Sequence, residues 1–174
     1  IAEASQGYDV KLLENVIKIL LEKHSDTVEI ILFGWSKKVA VQNGLFDNLK
    51  ITYEPPVAFQ EYHSRLNSLA FDIGLLPFVN NAFNASGKTL MRFLDFSGSM
   101  VPVVASQILP FTKIIEEGDN GFLASTDEEW INKIEQLIVS PELRHAIGKN
   151  AFKTAWAKYS YTPQAIDRLK NIFI

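Results

Sequence analysis

Two hydrophobic periods take turns along this chain, and the alternation between them predicts an α/β protein. From Asp9 to about Lys23 the residues Val10, Leu13, Val16, Ile17, Leu20 and Leu21 recur at intervals of three and four, which predicts an amphipathic helix capped by Asp9. Val28-Glu-Ile-Ile-Leu-Phe33 is short, β-branched and stopped by Gly34, as a buried strand is. Leu49 to Tyr53 is a second strand closed by Pro55-Pro56, and Ala58 to Ser68 is a helix with Phe59, Tyr62, Leu66 and Leu69 on one side. Phe71 to Pro77 is a third strand, followed by a polar loop from Asn80 to Gly87 and a helix from Lys88 to Ser97. Val101 to Ala105 is a fourth strand. Pro110 to Glu117 suggests a short helix, Gly118-Asp-Asn-Gly121 a turn, and Gly121 to Ala124 an edge strand.

The remainder reads as helix. Thr126 and Glu129 form a capping box ahead of a helix that runs to about Val139, and Ser140-Pro141 restarts the chain as cap and first-turn proline. Thr162-Pro163 repeats that punctuation before a terminal helix expected over 163–174. Strands separated by helices of this length pair in parallel through right-handed crossovers, so the expected architecture is a Rossmann-like open parallel sheet with helices on both faces. In such sheets ligands lie beyond the carboxyl ends of the strands. That rule selects Gly34, Pro55, the loop from Pro77 to Gly87 with Asn84 and Ser86, and the stretch from Ala105 to Phe111 with Ser106 and Pro110.

Composition narrows the function without changing this outline. With 174 residues, 47% hydrophobic and 21% charged, the chain suits one domain, 1–174, with a sizeable core. A net charge of −3 leaves no basic excess to neutralise a nucleic-acid backbone, so any phosphate site must be local. The absence of cysteine excludes disulfides, thiolate catalysis and cysteine-bound metal, and permits a reducing compartment. No apolar run approaches the roughly 20 residues needed to cross a bilayer. His24, His63 and His145 lie far apart, without carboxylates at metal-ligand spacing, and read as structural. Because Ile1 is not an initiator methionine and the chain opens directly into a polar loop ahead of a helix, the expectation is a fragment or a processed product, with something preceding Ile1.

The stretch from Phe83 to Asp95 carries the chemistry. At about 100° per residue, Lys88, Arg92 and Asp95 share a narrow stripe while Leu90, Phe93 and Leu94 face the other way. In the first turn, where unpaired N–H groups and the helix dipole favour an anion, Lys88 would meet a diphosphate. A plain solvated face with an Arg92–Asp95 ion pair explains the same spacing. Ser86-Gly87-Lys88-Thr89 mimics the tail of a Walker A loop, but that motif needs glycine at the position of Ala82. Trp35 and Tyr53 sit at strand ends, where a packed aromatic and a nucleotide-base contact are both open readings. Asp72 reads as a loop cap rather than a base.

The run Phe71-Asp-Ile-Gly-Leu-Leu-Pro77, Phe83-Asn84, Lys88-Thr89, Arg92, Asp95, Pro102-Val-Val-Ala-Ser106, Pro110-Phe111, Ile115, Gly118, Asn120-Gly121 and Trp130 resembles the C-terminal domain of family 4 glycosyltransferases, the glycosyl transferases group 1, which have the two-domain GT-B fold. The similarity spans nearly the whole chain, in order and spacing. It implies a retaining glycosyltransferase, an enzyme that moves a sugar from a nucleoside diphosphate sugar to a carbohydrate or lipid-linked acceptor without an obligatory metal or other cofactor. By position, Asp95 stands where a carboxylate binds the donor's ribose, Lys88 and Arg92 where cations meet the diphosphate or donor sugar, and Ser106 to Phe111 where a loop lies close to the donor.

The departures from that pattern are also informative. Gly87 stands where the first glutamate of the family's paired-glutamate motif falls, Met100 where a glycine is usual, and Ala2 and Gln6 where glycine and histidine are expected near Ser5 and Asp9. The resemblance assigns the acceptor site to a missing N-terminal domain. It also implies a cytoplasmic enzyme, with any contact at the inner membrane face left to that missing half, and this chain alone should bind donor without turnover. A non-catalytic nucleotide-sugar-binding module and an epimerase-like GT-B relative are the alternatives.

Overall fold

In the computed structural model, residues 7–46, 49–81, 87 and 89–160 are described. The terminal helix expected over 163–174 lies outside them, as do Ser5, Gln6, Asn84, Ser86 and Lys88. The expected strands are all present and each is shorter, with β2 and β4 shifted one residue past their expected carboxyl ends: β1 (Ile30–Phe33), β2 (Ile51–Glu54), β3 (Gly74–Leu76), β4 (Val103–Ser106) and β5 (Phe122–Ala124). Every pairing is parallel. β1 pairs with β2 from Ile30 opposite Ile51, β3 pairs with β4 from Gly74 opposite Val103, and β4 pairs with β5 from Val104 opposite Phe122. The strands thus form two ladders, β1-β2 and β3-β4-β5.

Burial in β4 shows how the layers are built. All of its residues are buried, and alternate side chains go to opposite faces. Val104 joins a core with Phe122, Ala124, the helix residues Val16, Ile17 and Leu20 of α2 (Glu14–Lys23), and Trp130, Ile134 and Leu137 of α6 (Asp127–Val139). Ile30, Leu32, Ile51, Ile73 and Leu75 pack on this same core, so one apolar layer serves both ladders. Val103 and Ala105 point the other way, to Phe93 of α5 (Met91–Gly98), Phe111, Ile114 and Ala151 of α7 (Pro141–Tyr159). A sheet covered by helices on both faces is the predicted architecture.

The helix caps at Thr126 and Ser140 are where the sequence places them. Thr126 Oγ1 accepts from the Glu129 N–H at 3.2 Å, Glu129 Oε2 accepts from the Ser125 N–H at 2.7 Å, and Ser140 Oγ accepts from the Leu143 N–H at 3.2 Å with Pro141 in the first turn. Four other readings are corrected. The first helix is broken into α1 (Gly7–Lys11) and α2, and Asp9 is no cap: it is buried within α1, and its Oδ1 accepts from the N–H of Val79 at 2.8 Å. The helix expected from Ala58 begins as a 3-10 turn, Phe59–Glu61, before α4 (Tyr62–Ser68), and Phe59 is 82% exposed instead of packed. Pro110 to Glu117 holds only a 3-10 turn, Phe111–Lys113. A helix absent from the sequence reading, α3 (Lys37–Gln42), is capped by Ser36, whose Oγ accepts from the Val39 N–H.

The helix expected from Lys88 begins at Met91, three residues later. Thr89 accounts for the delay, because its Oγ1 accepts from the Met91 N–H at 3.4 Å and so acts as a local stop ahead of the helix. At the far end of α5 the backbone of Met100 has φ +55°, a left-handed conformation that costs a side chain about 1 kcal/mol or more and that glycine adopts freely.

Candidate functional site

The helices α4 and α5 each begin beyond the carboxyl end of a strand, β2 and β3 respectively, and their first turns carry most of the polar chemistry at that rim. Tyr62 opens α4, and its ring stacks at 5.4 Å on Phe33, the last residue of β1. Phe33 in turn meets Phe71 at 6.4 Å, and Phe71 meets Phe96 of α5 edge-on at 5.9 Å. This aromatic row joins both helices to the sheet. Gly74 is forced by the same packing, since a Cβ there would lie 2.9 Å from the Phe96 ring.

Asp95 faces α4 across this row. Its side chain is 11% exposed, and His63 Nε2 stands 3.9 Å from Oδ1, with the imidazole side chain 62% exposed. Burial pushes the Asp95 carboxyl above its usual range, against the opposing pull of His63, the nearby Tyr62 hydroxyl and Arg92. Burial, followed by the neighbouring Asp95 charge, pushes the Tyr62 hydroxyl up to about 12, so it remains a donor at any ordinary pH. A second bridge fixes the helices at their other ends: Ser99 Oγ donates to Asn67 Oδ1 at 2.5 Å. The solvated helix face considered from spacing does not describe this arrangement, because Asp95 is largely shielded from solvent and has neighbours from α4 as well as Arg92 of its own helix.

The other predicted residues fall in different environments. Gly34 lies at the carboxyl end of β1 with φ +87°, and its N–H donates to the Glu54 carbonyl at 2.9 Å. Tyr53 is half-buried against the core and lines an open depression with Lys37, Lys50 and Phe46. Trp35 is buried, which makes it the packed aromatic of the two readings. Ser106 is buried, with its Oγ accepting from the Phe78 N–H at 2.7 Å, and so ties the end of β4 to the chain leaving β3. Phe111 is fully buried and stacks on Phe78 at 4.8 Å; its ring belongs to the core, and Pro110 beside it is half-buried. Gly87 is exposed. Asp72 pairs with Arg144 at 3.5 Å instead of capping its loop, and His24 pairs with Glu135 at 3.2 Å, a structural role.

Sequence reasoning missed Tyr62 and His63. Tyr62 looked like part of an apolar helix face and His63 like an isolated histidine, because their partner Asp95 is more than thirty positions away and no local period connects them. Among the described residues no three His, Asp or Glu side chains gather as a metal site, and no helix is long and apolar enough to cross a membrane.

The comparisons with known proteins begin from the second half of the chain. The model of the family described as Glycosyl transferases group 1 matches residues 99–154. The fold is that of a group 1 glycosyltransferase C-terminal domain. The match takes in Ser106, Pro110 and Phe111 and ends in α7; Lys88, Arg92 and Asp95 precede it. The C-terminal domain of a glycosyl transferase group 1 family protein, LpcC from Francisella tularensis, superimposes with a TM-score of 0.63 at 20% identity, over 89% of this chain and 82% of that one. HepE from Anabaena, in complex with UDP-glucose, gives 0.64 at 18% identity over 92% of this chain. TarM from S. aureus, in complex with Fondaparinux, alpha-GlcNAc-glycerol and UDP, gives 0.70 at 21% identity over 94% of this chain. The chain spans 46% of HepE and 33% of TarM. No curated protein matches significantly.

Proposed function

We propose that this group 1 glycosyltransferase fold is the donor-binding part of an enzyme that transfers a sugar from a nucleoside diphosphate sugar to a carbohydrate or lipid-linked acceptor, with retention at the anomeric carbon. The observation that carries the proposal is a sheltered carboxylate, Asp95, at the carboxyl rim of a parallel sheet with Arg92 one turn ahead of it. A carboxylate accepts hydrogen bonds from both hydroxyls of a ribose, and charge-assisted bonds of this kind are the strong ones. Arg92 lies in the first turn of α5, toward the end of the helix whose dipole favours an anion. Lys88 precedes that turn in sequence and is assigned to the leaving diphosphate, where negative charge grows as the sugar departs. Gly34, Tyr53, Asn84, Ser86, Gly87 and the backbone from Ser106 to Phe111 are assigned to the walls of the same donor site. The complex of HepE with UDP-glucose supports a nucleotide sugar as the ligand class.

Acceptor binding is assigned to a further domain, as the chain's 46% share of HepE suggests. Calorimetric titration with UDP, GDP and dTDP tests the binding step: one of them should bind, and Asp95→Ala should weaken it, whereas indifference to all of them ends the proposal. In the full-length enzyme, Lys88→Ala should lower turnover on the order of 10²-fold while the fold is kept. An equally active variant removes Lys88 from the mechanism. Gly87, in place of the usual glutamate, favours one second reading, a binding module without catalysis; donor hydrolysis by the full-length protein would exclude it.

A further inference from the structure

Where α4 and α5 lie side by side, two pairs of side chains face one another across the seam. His63 and Asn67 are one turn apart on α4, and Asp95 and Ser99 are one turn apart at the end of α5, with Ser99 Oγ 3.5 Å from the Asp95 carbonyl oxygen. One rung is closed, since Ser99 Oγ donates to Asn67 Oδ1 at 2.5 Å. The other, toward the rim, is open: His63 Nε2 stands 3.9 Å from Asp95 Oδ1. We propose that the open rung binds a ribose hydroxyl of the donor nucleotide, which sits between the two side chains, donates to the Asp95 carboxylate and accepts from His63 Nε2–H. His63 is then a binding residue outside the donor-site assignment above. The inference rests on the ribose reading of Asp95 and deepens it.

The width of the gap selects the ligand atom. At 3.9 Å the two side chains are too far apart for a direct hydrogen bond. One oxygen at about 2.8 Å from each of them, bonded at close to a right angle, spans that distance. A hydroxyl suits both ends, because it donates one proton to a carboxylate and accepts one from an imidazole N–H. The seam is held by other contacts: the Phe33–Tyr62 stack, the Phe71–Phe96 pair and the Ser99–Asn67 bridge fix the helices, and the His63 ring rests edge-on against Tyr62 at 5.3 Å. A gap of the right width before the ligand arrives removes an ordering cost that binding would otherwise carry. His63 is 62% exposed and Asp95 11%, so the imidazole forms the solvent side of the cleft and the carboxylate its floor. A carboxylate sheltered in this way has few solvent donors and gains from one that the ligand brings. The other charged or titratable groups facing it are Tyr62 from α4 and Arg92 from its own helix.

His63→Ala removes one side of the cleft. The readout is calorimetric affinity for UDP and GDP against their 2′-deoxy and 3′-deoxy counterparts, in the parent and in the variant. The expected result is about five- to tenfold weaker binding of the ribonucleotide and no change for one deoxy form, the one that lacks the bridging hydroxyl, while the other deoxy form follows the ribonucleotide. A residue that merely supports the fold would weaken all three alike. If His63→Ala leaves all three as in the parent, or weakens them equally, while Asp95→Ala loses the preference for ribose, the role of His63 is overturned and the ribose reading stands. If Asp95→Ala retains that preference, or the parent chain binds none of these nucleotides, both are overturned. Should His63→Ala lose its cooperative melt, His63→Phe, which keeps a ring against Tyr62 and removes both nitrogens, is read by the same ratios.

Discussion

Asp95 shows how one side chain can work against the fold and for the function. Burial raises its carboxyl above the unfolded value, which means that the folded state prefers the neutral acid. The stability this group contributes is complete below the unfolded pKa and is lost as pH rises through the higher folded one. At neutral pH the ionised carboxylate is therefore a net cost, partly offset by His63, Tyr62 and Arg92. Asp95→Asn keeps the size of the side chain and removes that cost, so its thermal midpoint at pH 7 should exceed the parent's, and the gap should close as pH approaches 3. Calorimetric melts across that range check the sign. A parent more stable than the variant at pH 7 would mean that the surrounding cations outweigh burial. Asn120 is the contrasting case of a buried polar group that the fold satisfies. It accepts from the Glu116 N–H at 2.8 Å and donates to the Ile114 carbonyl at 3.0 Å and to Thr154 at 3.2 Å, which closes the turn before β5.

At the scale of elements, the critical contact is that between α7 and the end of α5. A Cβ on Gly148 would lie 1.9 Å from the Met100 carbonyl oxygen, and the neighbouring backbone, already left-handed at Met100, has no soft side chain to yield. Gly148→Ala should therefore cost about 3 kcal/mol or more, well beyond an ordinary surface change in a helix, and urea unfolding measures it. A variant within a few tenths of a kcal/mol of the parent would show that the helices separate freely. Element ends also mark where local sequence signals were sufficient. Thr126 with Glu129 and Ser140 with Pro141 are caps whose partners lie within four residues, and both helices start where those words stand. Thr89 misled the reading of α5 because a threonine serves a helix interior or a stop with the same local sequence, and neighbouring geometry decides between them.

For the whole molecule, a ligand that binds only the folded state stabilises it by mass action. The selected nucleoside diphosphate at about a hundred times its Kd should add about 2.7 kcal/mol, a shift of about 5–10 °C for a chain of this size. Differential scanning fluorimetry reads the shift directly, and its loss in Asp95→Ala ties it to the proposed site. The layered core supports such global coupling. Val104 and Val103 on adjacent positions of β4 anchor the two opposite helical faces, so the cores on both faces are joined through one strand.

The order of the strands, their parallel pairing and the caps at Thr126 and Ser140 were legible in the sequence because each rests on periodicity or on partners a few residues apart. The group 1 resemblance was legible for the same reason, as an ordered series of short words. Only the tertiary structure decided which chemistry-bearing residues meet. Tyr62, His63 and Asp95 come together through an aromatic row that links β1, α4 and α5, Asp9 reaches across to Val79, and Ser106 and Phe111 turn inward to the core. Contacts between positions tens of residues apart depend on how whole layers pack, and packing has no period along the chain from which it could be read.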